Sequence, residues 1–268
     1  MKFKKVTGIL MAAVMMFSMV GCGAVSVDGE SSGNSSAEGS EDASGSYEGS
    51  GAIGLAISTL NNPFFVTLSE GAQAAAKEQD VELIVVDAGD DTATQTNNIE
   101  DLISRNISVL IVNPVDSDAV APAVKDAVAK GIKVVSVDRV VNGVDVDCSI
   151  ASDNVAGAKA ATEYLISLVG EGAKVAELQG VSGASATIDR GEGFHLAADE
   201  SLEVVSSQTA NFNRSEGMTV MENMLQANAD ITGVFAHNDE MALGAVEAIG
   251  DKDIKVVGFD ATDDALAA

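Results

Sequence analysis

The segment Ile53-Gly54-Leu55-Ala56-Ile57-Ser58-Thr59-Leu60-Asn61-Asn62-Pro63-Phe64-Phe65 sets the architecture. Residues 53–58 are apolar at successive positions instead of alternate ones, the pattern of a strand covered on both faces. Asn62 is a natural helix cap and Pro63 suits a first helical position, so a helix begins directly after the strand. The unit then repeats: apolar runs at 81–87, 108–112 and 132–138 are separated by stretches of helical composition. A second series places strands at 174–178, 204–207, 233–236 and 254–260, with helices near 154–169, 186–200, 215–227 and 239–249. The expected fold class is therefore α/β, two lobes that each hold a doubly wound parallel sheet. The junction is expected at Ala151-Ser152-Asp153-Asn154, because 144–151 is strand-like and Asp153 or Asn154 can cap the next helix. Ser152 and Asp153 are thus the hinge candidates, dividing the folded part into lobes 51–151 and 152–268.

Outward from this core, 268 residues suffice for one large or two modest domains at roughly 100–200 residues each. There are 15 Lys and Arg against 41 Asp and Glu, the wrong sign for neutralising phosphates, so nucleic acid is excluded as a partner. At the N-terminus Lys2, Lys4 and Lys5 precede an uncharged stretch, 6–20, that is shorter than the roughly 20 residues needed to span a bilayer. Gly21-Cys22 follows, so 1–21 reads as a secretion signal. This stretch resembles the lipobox of bacterial lipoproteins. That resemblance implies that Cys22 becomes the first residue of the mature protein and carries the lipid anchor, acyl chains of the palmitate kind, on the extracytoplasmic face of the cell membrane. Residues 22–50, rich in Ser, Gly and acid and lacking Lys and Arg, form the linker. Cys22 and Cys148 lie in segments too different for a disulfide between them.

In open α/β sheets ligands bind beyond the carboxyl ends of the strands. At the first such end stand Asn62, Phe64 and Phe65; the two rings either plug the core or offer flat apolar faces to the C–H side of a sugar. Asp138 and Arg139 end the fourth run, either as an ion pair or as fixed acceptors and donors for a ligand made of hydroxyls. In the second lobe Arg190 opens Arg190-Gly191-Glu192-Gly193-Phe194, Phe212 follows a strand, Asn238 follows Phe235-Ala236-His237, and Asp260 ends Val256-Val257-Gly258-Phe259.

Five strings in this order, Asn62-Pro63-Phe64-Phe65, Asp138-Arg139, 190–194, Asn238-Asp239-Glu240-Met241-Ala242 and 256–260, resemble the ribose-binding proteins of bacterial ABC transporters, and the likeness runs from about Ala52 to Asp260. It implies a type I periplasmic binding protein: two Rossmann-like lobes closing on one monosaccharide, D-ribose first among them, and delivering it to an ABC permease in the membrane. Position by position, Asn62, Asp138, Arg139, Arg190, Asn238 and Asp260 match that family's hydroxyl-binding groups, and Phe64, Phe65 and Phe212 match the rings that sandwich the sugar. The resemblance further implies a monomer with no cofactor. Family members continue for several tens of residues past the segment matching Asp260, recross the hinge and add a polar pocket residue, so it also implies that this chain, which stops at Ala268, is shortened at its C-terminus.

Other function classes find little in the sequence. Ser182 and Ser185 lack the Gly-x-Ser-x-Gly spacing of a nucleophile elbow, and no catalytic set or phosphate loop is present, so the chain is expected not to be an enzyme, with a secreted hydrolase as a remote alternative. His195 and His237 lack metal-ligand spacing, and one is expected on a helix surface, the other beside the cleft. Neither Asp87, Asp90 and Asp91 nor Asp145 and Asp147 follow the EF-hand pattern, so no metal is expected. Cys148 is expected to be a buried or half-buried strand residue. A sugar-responsive transcription regulator would need a DNA-binding head where the signal and acidic linker stand. A receptor of the same build for another pentose or a furanosyl signal, presenting it to a sensor or chemoreceptor, is the nearer alternative.

Overall fold

The computed structural model describes residues 49–268; the expected signal segment, Cys22 and the linker as far as Glu48 lie outside the described residues. The first sheet contains β1 (Ile53–Ile57), β2 (Leu83–Asp87), β3 (Val109–Val112), β4 (Lys133–Val137) and β5 (Cys148–Ile150), in the order β2-β1-β3-β4-β5. Its crossovers are α1 (Pro63–Glu78), α2 (Thr92–Ser104) and α3 (Ala121–Ala129). Through α4 (Asn154–Val169) the chain enters the second sheet: β6 (Lys174–Gln179), β7 (Glu203–Thr209), β8 (Gly233–Ala236) and β9 (Lys255–Val257), ordered β7-β6-β8-β9. Helices α5 (Ser185–Ala198), α6 (Arg214–Ala227) and α7 (Asp239–Ile249) link those strands, and α8 (Asp263–Ala267) follows β9. Every strand pairing is parallel.

Apolar faces explain the layers. In the first sheet Leu110, Val112 and Val134 pack with Ile99 and Leu102 of α2 and Val124 of α3. The second sheet is covered twice: Leu178 and Val234 meet Met221, Met224 and Met241 from α6 and α7 on one side, while Val175 and Phe235 meet Leu165 of α4 and Phe194 of α5 on the other. Each such side chain contributes about 1.5–3 kcal/mol when fully buried. In both sheets the strand order reverses at the first strand, where β1 lies between β2 and β3 and β6 between β7 and β8. At these reversals the loops diverge and leave a crevice.

Two expected strands fall short of their apolar runs by four residues or more. Of 144–151 only Cys148–Ile150 is strand, because the Asp147 side chain accepts the Val134 N–H at 2.9 Å and takes up the donor that an earlier start of the ladder would need. Cys148 is exposed, contrary to expectation, since β5 is an edge strand with all three residues open to solvent. Of 254–260 only Lys255–Val257 is strand; the Phe259 carbonyl accepts from Asp239 N–H at 2.9 Å, turning the chain toward the start of α7, and Asp260 has φ +107°. Among the described residues no helix is long and apolar enough to cross a membrane.

Candidate functional site

On the first sheet's side the site begins at the capped start of α1. Asn62 Oδ1 accepts the Phe64 N–H at 3.0 Å, and the Asn62 amide nitrogen reaches across to the Phe212 carbonyl at 3.5 Å. Phe64 and Phe65 stand edge to face, 5.2 Å between ring centres, with Phe65 buried and Phe64 half-buried. Beyond β4, Asp138 has φ +65° and Arg139 is 2% exposed. Arg139 Nη1 donates to the Pro114 carbonyl at 2.7 Å, its Nε lies 3.6 Å from the Asp138 carboxylate and makes no hydrogen bond, and its guanidinium lies over the Phe65 and Phe212 rings at 5.2 and 5.3 Å. Burial pulls this guanidinium below the usual arginine value, with Asp138 and Asp90 opposing; it remains a cation.

On the second sheet's side Arg190, in the second turn of α5, is 4% exposed. Its Nε donates to Asn154 Oδ1 at 2.9 Å, Nη1 donates to the His237 carbonyl, and Nη2 lies 3.4 Å from Asp260 Oδ1. The Phe259 ring lies 3.9 Å from the guanidinium carbon, a cation–π contact. Asn238 repeats the design of Asn62: Oδ1 caps α7 by accepting the Met241 N–H at 3.0 Å, and Nδ2 donates to the Phe212 carbonyl at 3.3 Å. Phe212 has φ +56°, so three site residues, Asp138, Phe212 and Asp260, occupy backbone conformations that L-residues rarely adopt. Burial pushes the Asp260 carboxyl up to about 7, Arg190 pulling against it and Asp138 adding to the rise.

All nine side chains that the sequence singles out, Asn62, Phe64, Phe65, Asp138, Arg139, Arg190, Phe212, Asn238 and Asp260, line one hollow between the sheets. The hollow measures about 20 Å³, room for about one water. A polar recess of about 260 Å³ adjoins it at Asn62, Phe65, Arg139 and Phe212, and Asp90 and Arg214 extend that lining. A wider recess of about 780 Å³ touches Phe64, Asp138, Arg190 and Asp260 and continues over apolar side chains such as Val246 and Val256. Fixed donors, acceptors and aromatic faces around one space suit a polyhydroxylated ligand, whose hydroxyls both give and accept.

Ser152 and Asp153 lie exposed between β5 and α4, and Asp153 caps α4 by accepting the Ala156 N–H at 3.0 Å. His195 is partly exposed on α5, whereas His237 is fully buried, its Nε2 2.8 Å from the buried Glu177 carboxylate. Ser185 begins α5 and its Oγ accepts the Val140 N–H at 3.0 Å. Among the described residues no group of three or more His, Cys, Asp or Glu is arranged to hold a metal ion.

Four positioning groups escape the sequence reading. Asn113 follows β3 directly; its Oδ1 accepts the Ser58 N–H and Oγ–H, while its Nδ2 donates to the Val137 carbonyl and to Asp138 Oδ2 at 3.3 Å. The same strand-end rule that finds Asp138 would have found it. Asn154 and Phe259 stand in segments that the sequence singles out for other reasons and Glu177 gives no local signal; each acquires its partner only through packing.

A family described as "Periplasmic binding protein domain" matches residues 53–268. The ribose import binding protein of Bacillus subtilis is 53% identical over 218 residues, spanning 81% of this chain and 72% of that protein. The ribose import binding protein of Escherichia coli is 47% identical over 216 residues, 79% of this chain and 73% of that protein. Among solved structures, a Caulobacter myo-inositol binding protein bound to myo-inositol superposes with a TM-score of 0.77 at 32% identity, covering 81% of this chain and 77% of that one.

Proposed function

Because the chain belongs to the periplasmic binding protein domain family, we propose that it is the extracytoplasmic sugar-binding component of an ABC importer and that its ligand is D-ribose. Its support is the convergence of nine side chains from six loop and helix ends of two sheets on one hollow. Asn62, Asp138, Arg139, Arg190, Asn238 and Asp260 read the hydroxyls, and Phe64, Phe65 and Phe212 cover the apolar faces of the ring. The lobes, 51–151 and 152–268, move about Ser152 and Asp153. A space of about 20 Å³ cannot admit a pentose, so the lobes part to take it up and close on it, the ligand favouring closure because only then does it touch both sides. The closed form is what the membrane permease recognises. Cys22 carries the lipid that keeps this monomer at the membrane, and the chain binds its sugar without turning it over.

A hydrogen bond to a charged partner contributes about 1.5–3 kcal/mol. A sugar with one hydroxyl misplaced should therefore bind about ten- to a hundredfold more weakly. Calorimetric titration with D-ribose, D-allose, D-arabinose and D-xylose tests the reading: ribose should bind tightest, and absence of heat with ribose would remove it. Replacing Arg190 by Ala should weaken ribose at least a hundredfold. Cys22→Ala should move the protein from the membrane fraction to the soluble one, and unchanged membrane retention would remove the anchor.

A further inference from the structure

Arg190 has five N–H donors, and the protein engages part of that set from behind the hollow. Its Nε–H goes to Asn154 Oδ1 at 2.9 Å and Nη1 to the His237 carbonyl, while Phe259 lies against the guanidinium face at 3.9 Å. Asn154 is the first residue of α4, 4% exposed, and follows the Ser152–Asp153 link directly. Capping of α4 falls to Asp153, so the side-chain oxygen Oδ1 of Asn154 is available for the guanidinium. His237 is equally fixed: Glu177 Oε1 lies 2.8 Å from its Nε2, both residues are fully buried, and the second Glu177 oxygen accepts from Gln179 Nε2 at 3.0 Å and from Ser207 Oγ. Asn154 itself does not line the hollow.

We propose that Asn154 is a positioning residue that aims the Arg190 guanidinium at the ligand and thereby sets which hydroxyl arrangement the site prefers. The inference rests on the sugar-binding reading given above. An unheld arginine side chain samples many rotamers, and each hydrogen bond it makes to a ligand must first overcome that freedom; a guanidinium already gripped at Nε presents Nη2 and the outer N–H groups in one direction. Because Asn154 begins the helix that leaves the inter-sheet link, it also ties the aim of Arg190 to the place where the lobes join.

The test is titration of D-ribose, D-xylose and D-arabinose against the full chain and its Asn154→Ala and Asn154→Asp variants, alongside urea unfolding without sugar. Asn154→Ala should weaken ribose about tenfold and narrow the ribose-to-xylose and ribose-to-arabinose ratios. Asn154→Asp, which keeps an acceptor oxygen for Nε, should restore both. Should Asn154→Ala not fold, Asn154→Ser serves, since its hydroxyl is too short to reach Nε. Unaltered affinity and ratios in Ala or Ser, or lower stability with unaltered ratios, would overturn the inference while leaving the sugar-binding reading intact. Failure of the unmodified chain to bind any of the three sugars would overturn both.

Discussion

Asp260 carries the pocket charge most open to pH. Burial pushes its carboxyl up to about 7, and Asp138 and Asp239 add to the rise while Arg190 and Arg139 restrain it. In the unfolded chain an aspartate releases its proton near pH 4. Between about pH 4 and pH 7 the folded chain therefore holds a proton that the unfolded chain has lost, and the stability contributed by this group declines as pH rises through that window. Asp260→Asn should flatten that decline, seen as urea midpoints less dependent on pH between 4.5 and 7.5; an identical slope in the variant would refute the assignment. With Asp260 reading a sugar hydroxyl as proposed, hydroxyls donating to the carboxylate would favour its ionised form, so binding should release a proton near pH 7 and tighten as pH rises from 6 to 8. Titrations in two buffers of different ionisation enthalpy measure that proton directly, and Asp260→Asn should lose it. At this scale much of the candidate site is legible in the sequence, because a strand's carboxyl end marks Asp138, Arg139, Asn238 and Asp260 as the places where polar groups face a crevice. The protonation of Asp260 is not legible, since it depends on how far burial outweighs the neighbouring guanidinium groups.

At the scale of elements, two helix caps do double duty. Asn62 and Asn238 each give Oδ1 to the first turn of a helix, α1 or α7, and Nδ2 to the same Phe212 carbonyl. Asn238→Asp keeps the capping oxygen but loses the amide donors and turns a buried carboxylate oxygen toward the Phe212 carbonyl, so ribose affinity should fall about tenfold or more and stability by about 1–3 kcal/mol. Asn238→Ala should lose the cap as well, at about 0.5–2 kcal/mol. Asp91, which caps α2 through the Thr94 N–H at 2.6 Å, gives the comparison: Asp91→Ala should lower the urea midpoint without altering sugar affinity. Helix packing makes a further demand at Gly244 in α7, where a Cβ would lie 2.1 Å from the Arg214 carbonyl oxygen and 2.7 Å from Met218 N. Backbone cannot yield as a side-chain tip does, so Gly244→Ala should cost about 1–3 kcal/mol or more in denaturant unfolding. Helix starts and stops were readable from caps and apolar spacing; 154–169 and 239–249 coincide with α4 and α7. The strand limits were not, because the side chain of Asp147 and the turn at Phe259 compete with the ladder.

Across the whole molecule, loops of the two sheets also meet outside the hollow. Ser117 N–H donates to the Gly183 carbonyl at 2.9 Å, Ser185 N–H to Ser117 Oγ at 3.1 Å, and Val140 N–H to Ser185 Oγ at 3.0 Å. Gly183 has φ +86°, strained for any residue with a Cβ, and that Cβ would lie 2.0 Å from Asp116 Oδ2, in a carboxylate held in place because its Oδ1 accepts the Asp118 and Ala119 N–H groups. Gly183→Ala should therefore hold this seam apart and lower the population of the closed form. Apparent affinity scales with that population, so every sugar should weaken by one common factor while the ratios between sugars stay unchanged. Titration gives the ratios, and small-angle scattering without sugar should show a larger radius of gyration; a changed ratio would place Gly183 in recognition instead of closure.

The sequence by itself determined the α/β class, the alternation of buried strands with capped helices, and the polar and aromatic residues that stand at their ends. These are local properties, written in apolar periodicity, turn chemistry and the few residue types that can cap a helix. Only the tertiary structure decided that side chains as far apart as Asn62 and Asp260 share one hollow, that Asn154 and His237 hold Arg190, and that Glu177 lies buried beneath them. Those relations arise when sheets are stacked, loops are brought opposite one another and water is removed, and the energies of desolvation and pairing that follow depend on neighbours distant in the chain.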